Sequence, residues 1–250
     1  MNEILVDLAA QHAELWSLLA ALDEAGWARP APREGWDVRD VALHLHQTDE
    51  LALASLRGDL ARDIEEFMRA GGEESVDAAA AASVAFARGA DGAAIGEQWR
   101  ASAAELRAEF AKVDPSARLQ WVVGTLSAHT LCATRLSECW IHTGDVAIAL
   151  GIELAPTNRL RHIARLAWRT LPYAFARAGR ELTGPVGFDL VGPTGDPWSF
   201  GLGANPVTVV SGPGVELCDV AGRRRDPAAT ALVATGPDAM EVLELVRTYA

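Results

Sequence analysis

Arg135-Leu136-Ser137-Glu138-Cys139-Trp140-Ile141-His142-Thr143-Gly144-Asp145 is the stretch on which the reading of the fold turns. It lies in a run from about residue 127 to 150 that predicts a helix and ends at Gly151, a natural C-cap. At about 100° per residue, Glu138 and His142 lie roughly 40° apart on such a helix. Both side chains can therefore reach one point. Asp145 follows His142 by three residues on the same stripe, where it can accept a hydrogen bond from one imidazole nitrogen. A glutamate and a histidine at this spacing also form ordinary helix-surface pairs. The spacing predicts a helix and leaves its chemistry open.

Working outward, Ile4, Leu8, Leu15, Leu18, Leu19 and Leu22 recur at helical spacing and predict an amphipathic helix from residue 2 to about 24. Gly26, Pro30 and Pro32 break it. A second helix is expected from Asp37, as N-cap, through Val38, Val41 and Leu45 to about residue 56. Gly58, Gly71 and Gly72 punctuate a region of short helical pieces, with the alanine run 78–82 as helix. A third long helix is expected over 95–112, with Trp99, Leu106 and Phe110 in the core, stopped by Asp114-Pro115. Four long helices predict an antiparallel bundle. A further helix, 158–177, contains Pro172, which should kink or shorten it.

After Gly179 the texture changes. Residues 186–191, a Pro193-Thr194-Gly195-Asp196 turn and residues 198–202 predict a β-hairpin. Residues 206–210 read as a strand, 215–220 as strand or helix, and 238–249 as a closing helix. Ser211-Gly212-Pro213-Gly214 is read as a turn, without the strand–loop–helix setting of a phosphate loop. The expected class is α+β: a helical bundle over residues 1–155, then a linking helix and a small α+β domain over 156–250.

Half of the 250 residues are hydrophobic and 22% are charged, which suits a packed core rather than disorder. The formal net charge of -12 argues against a nucleic-acid partner. Asp7, Glu14, Asp23 and Glu24 interrupt the first stretch, so no signal peptide is visible, and no apolar run reaches membrane-spanning length. Cys132, Cys139 and Cys218 form no CxxC or zinc-finger spacing. An odd cysteine count fits a reducing compartment, and a cytoplasmic location is expected.

Gly35-Trp36-Asp37-Val38-Arg39-Asp40-Val41-Ala42-Leu43-His44-Leu45 resembles the GWxVxDxxxHL signature of the DinB-like superfamily, which includes the mycothiol-dependent maleylpyruvate isomerase family. The stretch Arg135 to Asp145 resembles that group's second signature, R-x-x-E-x-x-x-H-x-x-D. The likeness is strongest to an actinobacterial metal-binding subgroup and extends through Trp121, the 160–175 helix and Arg224-Arg225-Asp226-Pro227. It implies a DinB-like bundle with a His/Glu/His metal site, matched here by His44, Glu138 and His142. Two imidazoles and a carboxylate suit zinc or another first-row divalent ion and leave a position for water or substrate. The resemblance further implies mycothiol as a cosubstrate in several members. Asp145 would orient His142, while Thr48 and Trp140 would line the thiol or substrate cavity.

The related isomerases place an arginine of the C-terminal domain near the metal. Arg224, within Arg223-Arg224-Arg225, is the candidate for such an anion clamp, against the plainer reading of a solvated loop before Pro227. His46 and His129 depart from the subgroup's pattern. His46 points about 200° round the helix from His44, and His129 roughly 180° from Glu138, so neither is expected to ligate. His12 and His162 read as ordinary helix residues, and Cys139 as a buried thiol.

The resemblance implies a metal-dependent enzyme of the isomerase or S-transferase type, acting through a thiol on a small electrophile. A homodimer is expected as the assembly, apart from that resemblance. The alternatives are a thiol-independent metalloenzyme of a biosynthetic pathway with the metal as Lewis acid, and a non-catalytic small-molecule or metal-binding protein.

Overall fold

In the computed structural model, which describes residues 1–60, 76–122 and 124–248, Asp37 closes a capping box on the helix that carries His44. Its side chain accepts from the amide of Asp40, and the Asp40 carboxylate accepts from the amide of Asp37. Two otherwise orphaned donors are satisfied reciprocally, so the helix starts where the sequence places it. The chain divides into two compact units, Met1–Leu154 and Ala155–Ala250.

The first unit contains α1 (Asn2–Leu19), α2 (Glu24–Trp27), α3 (Val38–Arg57), α4 (Val76–Ala87) and α5 (Gly92–Phe110). A hairpin of β1 (Arg118–Trp121) and β2 (Gly124–Ser127) follows, and then α6 (Ala128–Leu150). The first helix is shorter than its apolar spacing predicts. Asp23 accepts from the amide of Gly26 and starts a separate helical turn, α2. At α6, the Ser127 hydroxyl caps the start and Gly151, at φ 71°, ends it in the left-handed conformation. The hairpin before α6 was not expected, because four-residue strands carry too little alternation to register.

α1, α3, α5 and α6 form the four-helix bundle, around a core that includes Leu15, Leu19, Trp36, Val41, Leu45, Ile95 and Trp99. Contacts along the helices fix their directions. His44 meets His142 while Asp49 meets Arg135, so α3 and α6 run antiparallel. His12 meets Arg107 while Trp16 meets Arg100, so α1 and α5 are antiparallel too. By contrast, His46 bonds Ser102 and Arg57 pairs with Glu105, so α3 and α5 run parallel. Parallel neighbours need a long crossover. The connection from Gly58 to Asp91, which carries α4, supplies it.

The second unit begins with α7 (Leu160–Arg177). β3 (Val186–Val191) and β4 (Pro197–Phe200) form the expected hairpin. β5 (Thr208–Pro213) runs parallel to β3, and β6 (Val233–Thr235) antiparallel to β5, giving the order β4-β3-β5-β6. α8 (Gly214–Ala221) and α9 (Ala239–Leu245) complete the unit. The protein is α+β.

The helix expected over 158–177 is present, and α7 runs on through Pro172 to Arg177 without being shortened. Two expectations are corrected here. Ser211, Gly212 and Pro213 are the end of β5, and Gly214 opens α8, so the stretch is no turn. Gly214 is required by packing: a Cβ there would lie 2.5 Å from the buried Trp198 ring. The closing helix stops at Leu245, where Val246 turns extended. Gly71, Gly72 and Tyr249 lie outside the described residues. Among the described residues, no helix is long and apolar enough to cross a membrane.

Candidate metal centre

His44 from α3 and Glu138 and His142 from α6 converge, with one ligand atom from each within 4.8 Å of the others. The antiparallel α3/α6 pair creates the site: a groove between two helices receives one side chain from the first and an i, i+4 pair from the second. The Glu138 Oε2 lies 3.4 Å from His142 Nε2 and 3.7 Å from His44 Nε2. The two imidazole rings meet edge-on with centroids 4.8 Å apart, and Trp36 packs against His44 at 5.3 Å. His44 and His142 are both 8% exposed.

These separations are too long for ordinary hydrogen bonds. The Glu138–His142 separation is that of two ligands on one ion, and the whole set lies within 4.8 Å. Ligand atoms about 2.0–2.1 Å from a tetrahedral zinc lie roughly 3.3–3.4 Å from one another. The other atoms of the site agree. His142 Nδ1 lies 2.9 Å from Asp145 Oδ2. Asp145 is buried, and its carboxylate accepts from the Nδ1–H of His142, which leaves Nε2 to face Glu138. His44 Nδ1 is buried with no hydrogen-bond partner. A buried imidazole that makes no ordinary hydrogen bond on either nitrogen is costly unless something else satisfies it. The residues present therefore fit a divalent ion.

The electrostatics favour ligation. Burial lowers the His44 pKa to about 4, against the opposing pull of Glu138, so its ring is neutral at neutral pH. Burial would raise Glu138, but the two histidines hold its carboxyl well below the usual range. For His142, burial lowers the pKa, yet Asp145 and Glu138 together raise it above the ordinary value of 6.5. A metal ion must displace that proton. Metal affinity should therefore fall as pH drops through and below neutrality, approaching about tenfold per unit once His142 is mostly protonated. Zinc titrations in buffers of differing ionisation enthalpy should detect a released proton near neutrality. Binding that is flat from pH 8 to pH 5.5 would contradict this state of His142.

The other candidates fall elsewhere. The Thr48 hydroxyl is committed: it donates to the carbonyl of His44 at 2.9 Å and accepts from Arg135 Nη2 at 2.8 Å. The hydroxyl thereby links the two helices. Trp140 is half-buried and lies about 200° round α6 from Glu138, so it does not share the face of the triad. His46 bonds Ser102 of α5, away from the cluster, and His129 is not among its three residues. Cys139 is buried beside Thr143, and burial pushes its thiol pKa far above the ordinary range.

In the second unit, Arg223 donates to the carbonyl of Glu244, Arg224 to that of Gly222, and Arg225 pairs with Glu216. Two buried residues near the site had no assigned role in the sequence reading, Arg135 and its partner Asp49. The signal for them was an arginine and an aspartate at core positions of two amphipathic helices.

Fold and site together define a four-helix-bundle protein with a buried His/Glu/His cluster and a small α+β unit after it. Residues 8–147 match the family model for the mycothiol maleylpyruvate isomerase N-terminal domain, and the chain belongs to that family. It is 33% identical over 254 residues to an uncharacterised protein of Mycobacterium tuberculosis, found in two strains, covering 98% of this chain and 94% of the relative. Its fold is shared with the crystal structure of the mycothiol-dependent maleylpyruvate isomerase, at TM-score 0.61 and 19% identity over 94% of this chain and 92% of that one. A mutant of that isomerase gives a TM-score of 0.60.

Proposed function

We propose that the protein is a divalent-metal enzyme of the mycothiol-dependent isomerase or S-transferase type, with His44, Glu138 and His142 as ligands and zinc as the ion. The observation that carries this reading is the unclosed triad: three donor atoms face one another at distances that suit an ion and are too long for hydrogen bonds. Family membership points to the thiol. A bound divalent ion lowers the pKa of a coordinated thiol, so that a thiolate is available to a small electrophile at neutral pH. His44 and Glu138 enter that chemistry already neutral and ionised, respectively. Asp145 keeps His142 in the tautomer whose Nε2 faces the centre. A homodimer is the assembly we expect.

Metal analysis of the purified protein, followed by thermal shifts with zinc and a panel of thiols including mycothiol, tests this reading. The expected result is one metal per chain and a further stabilisation by mycothiol. Protein that contains no metal and gains none from zinc overturns it. Turnover that is metal-dependent but indifferent to thiol replaces it with Lewis-acid chemistry, and tight ligand binding without turnover replaces it with a binding protein.

Asp145 supplies a sharper check. Asp145→Ala should keep the fold and weaken zinc affinity about 10–100-fold, the usual cost of losing a carboxylate behind a histidine ligand. Asp145→Asn should weaken it too, because a neutral oxygen stabilises the polarised imidazole less. Zinc titration with helicity followed by circular dichroism reads both. Wild-type affinity in Asp145→Ala would remove the residue from the site.

A further inference from the structure

Arg135 precedes Glu138 by three residues on α6 and is 2% exposed, too deep to meet solvent. Its Nε donates to Asp49 Oδ1 at 3.0 Å and its Nη2 to Thr48 Oγ1 at 2.8 Å, both on α3. The Thr48 hydroxyl gives its own proton to the carbonyl of His44 at 2.9 Å, with that of Leu45 at 3.2 Å. A guanidinium on α6 is thus joined, through one hydroxyl, to the backbone of the α3 residue whose ring faces Glu138 and His142.

The site depends on how α3 and α6 are aligned along their axes. A slip of one residue is about 1.5 Å of rise and 100° of rotation. Either would undo separations of 3.4 and 3.7 Å. The Arg135 fork grips two consecutive residues of α3 in one plane, and so resists both motions. A lysine, as a point charge, could not. A buried ion pair is a poor net stabiliser beside an apolar pair of similar volume, and its better-attested use is to fix register.

We infer that Arg135, with Thr48 and Asp49, is a positioning system for the metal centre: it holds α3 and α6 in the register at which His44 meets Glu138 and His142. The inference rests on the metal-binding reading above. It gives Thr48 a role through its hydroxyl rather than through contact with substrate.

The test separates positioning from stability. Thr48→Val keeps the side-chain shape and removes the hydroxyl; Thr48→Ser keeps the hydroxyl. The double variant Arg135→Met with Asp49→Leu replaces the pair by apolar groups, so that no charge is left buried alone. Zinc affinity is read by competition with a chromophoric chelator, and folding by thermal melts of the metal-free proteins. Thr48→Val and the double variant are expected to melt cooperatively yet bind zinc about tenfold or more weakly, comparable to other losses behind a ligand. Thr48→Ser should recover most of the affinity. Wild-type affinity in Thr48→Val, or a loss equal in Thr48→Val and Thr48→Ser, overturns the inference. So does a double variant that folds and binds zinc like the wild type. Should the double variant not fold, the two Thr48 variants decide. A wild-type protein that takes up no zinc removes the metal centre and this role together. A wild type that binds beside variants that bind equally removes only the role.

Discussion

Alanine at His44, Glu138 or His142 is expected in each case to abolish stoichiometric zinc binding, whereas His46→Ala and His129→Ala should leave it intact. The three ligand atoms lie within 4.8 Å of one another, and two of them come from one helix face, so each removes a third of the protein's donor set. Removing a residue that merely supports a ligand costs about 10–100-fold, so loss of a ligand itself should cost more. The variants differ in their side effects. Glu138→Ala removes the carboxylate that both imidazoles face. His142→Ala leaves the buried Asp145 without its imidazole partner, and should lower the melting temperature of the metal-free protein as well. His142→Gln separates these effects, because an amide can still donate to Asp145 while binding zinc poorly. Metal content after dialysis, with circular dichroism to confirm the fold, gives the answer. His46 is bonded to Ser102 on another face of α3. If His129→Ala loses metal as completely as His142→Ala, the triad is wrongly assigned.

Phase along single helices was the part of this molecule most legible in its sequence. Asp37, the i, i+4 pair of Glu138 and His142, the return of Asp145 to that stripe and the turning away of His46 all depend on residues within one or two turns. The structure places each as that phase requires. The direction of the bundle helices was not legible in the same way. That α3 runs parallel to α5 is set by a crossover whose alanine-rich sequence carries no directional signal. The Asp49–Arg135 pair spans 86 residues of chain, and no local pattern links its members. Thr48 was placed on the right helix, but the guanidinium that takes its hydroxyl comes from α6. The β1–β2 hairpin and β6 are too short for period-two alternation to show. At Ser211–Gly214, glycine and proline were read as chain reversal, whereas Gly214 is small because Trp198 lies on it.

His12 should make the metal-free fold sensitive to acid by several kcal/mol. The residue is 4% exposed on α1, edge-on to Trp99, and its Nδ1 faces the guanidinium of Arg107. Arginine can only donate, so Nδ1 must accept and the ring must be neutral. Burial lowers its pKa to about 3, with Arg107 and Arg135 adding to the effect. In the unfolded chain the ordinary value is near 6.5. The unfolded state therefore binds a proton as pH falls below about 6.5, while the folded state resists until near 3. Stability rises with pH wherever the unfolded chain holds more protons, so this contribution is present above about pH 6.5 and is lost as pH falls toward 3. At about 1.4 kcal/mol per unit, the loss across that window is on the order of 4 kcal/mol. His12→Gln keeps an acceptor for Arg107 and removes the titration. Its denaturant-derived stability should fall between pH 7 and pH 4 by roughly 3 kcal/mol less than that of the wild type. Measuring both proteins with the metal stripped leaves the other titrating groups, His44 included, common to the pair, so the difference isolates His12. Parallel stability curves for the two proteins would show that His12 is not held neutral against Arg107.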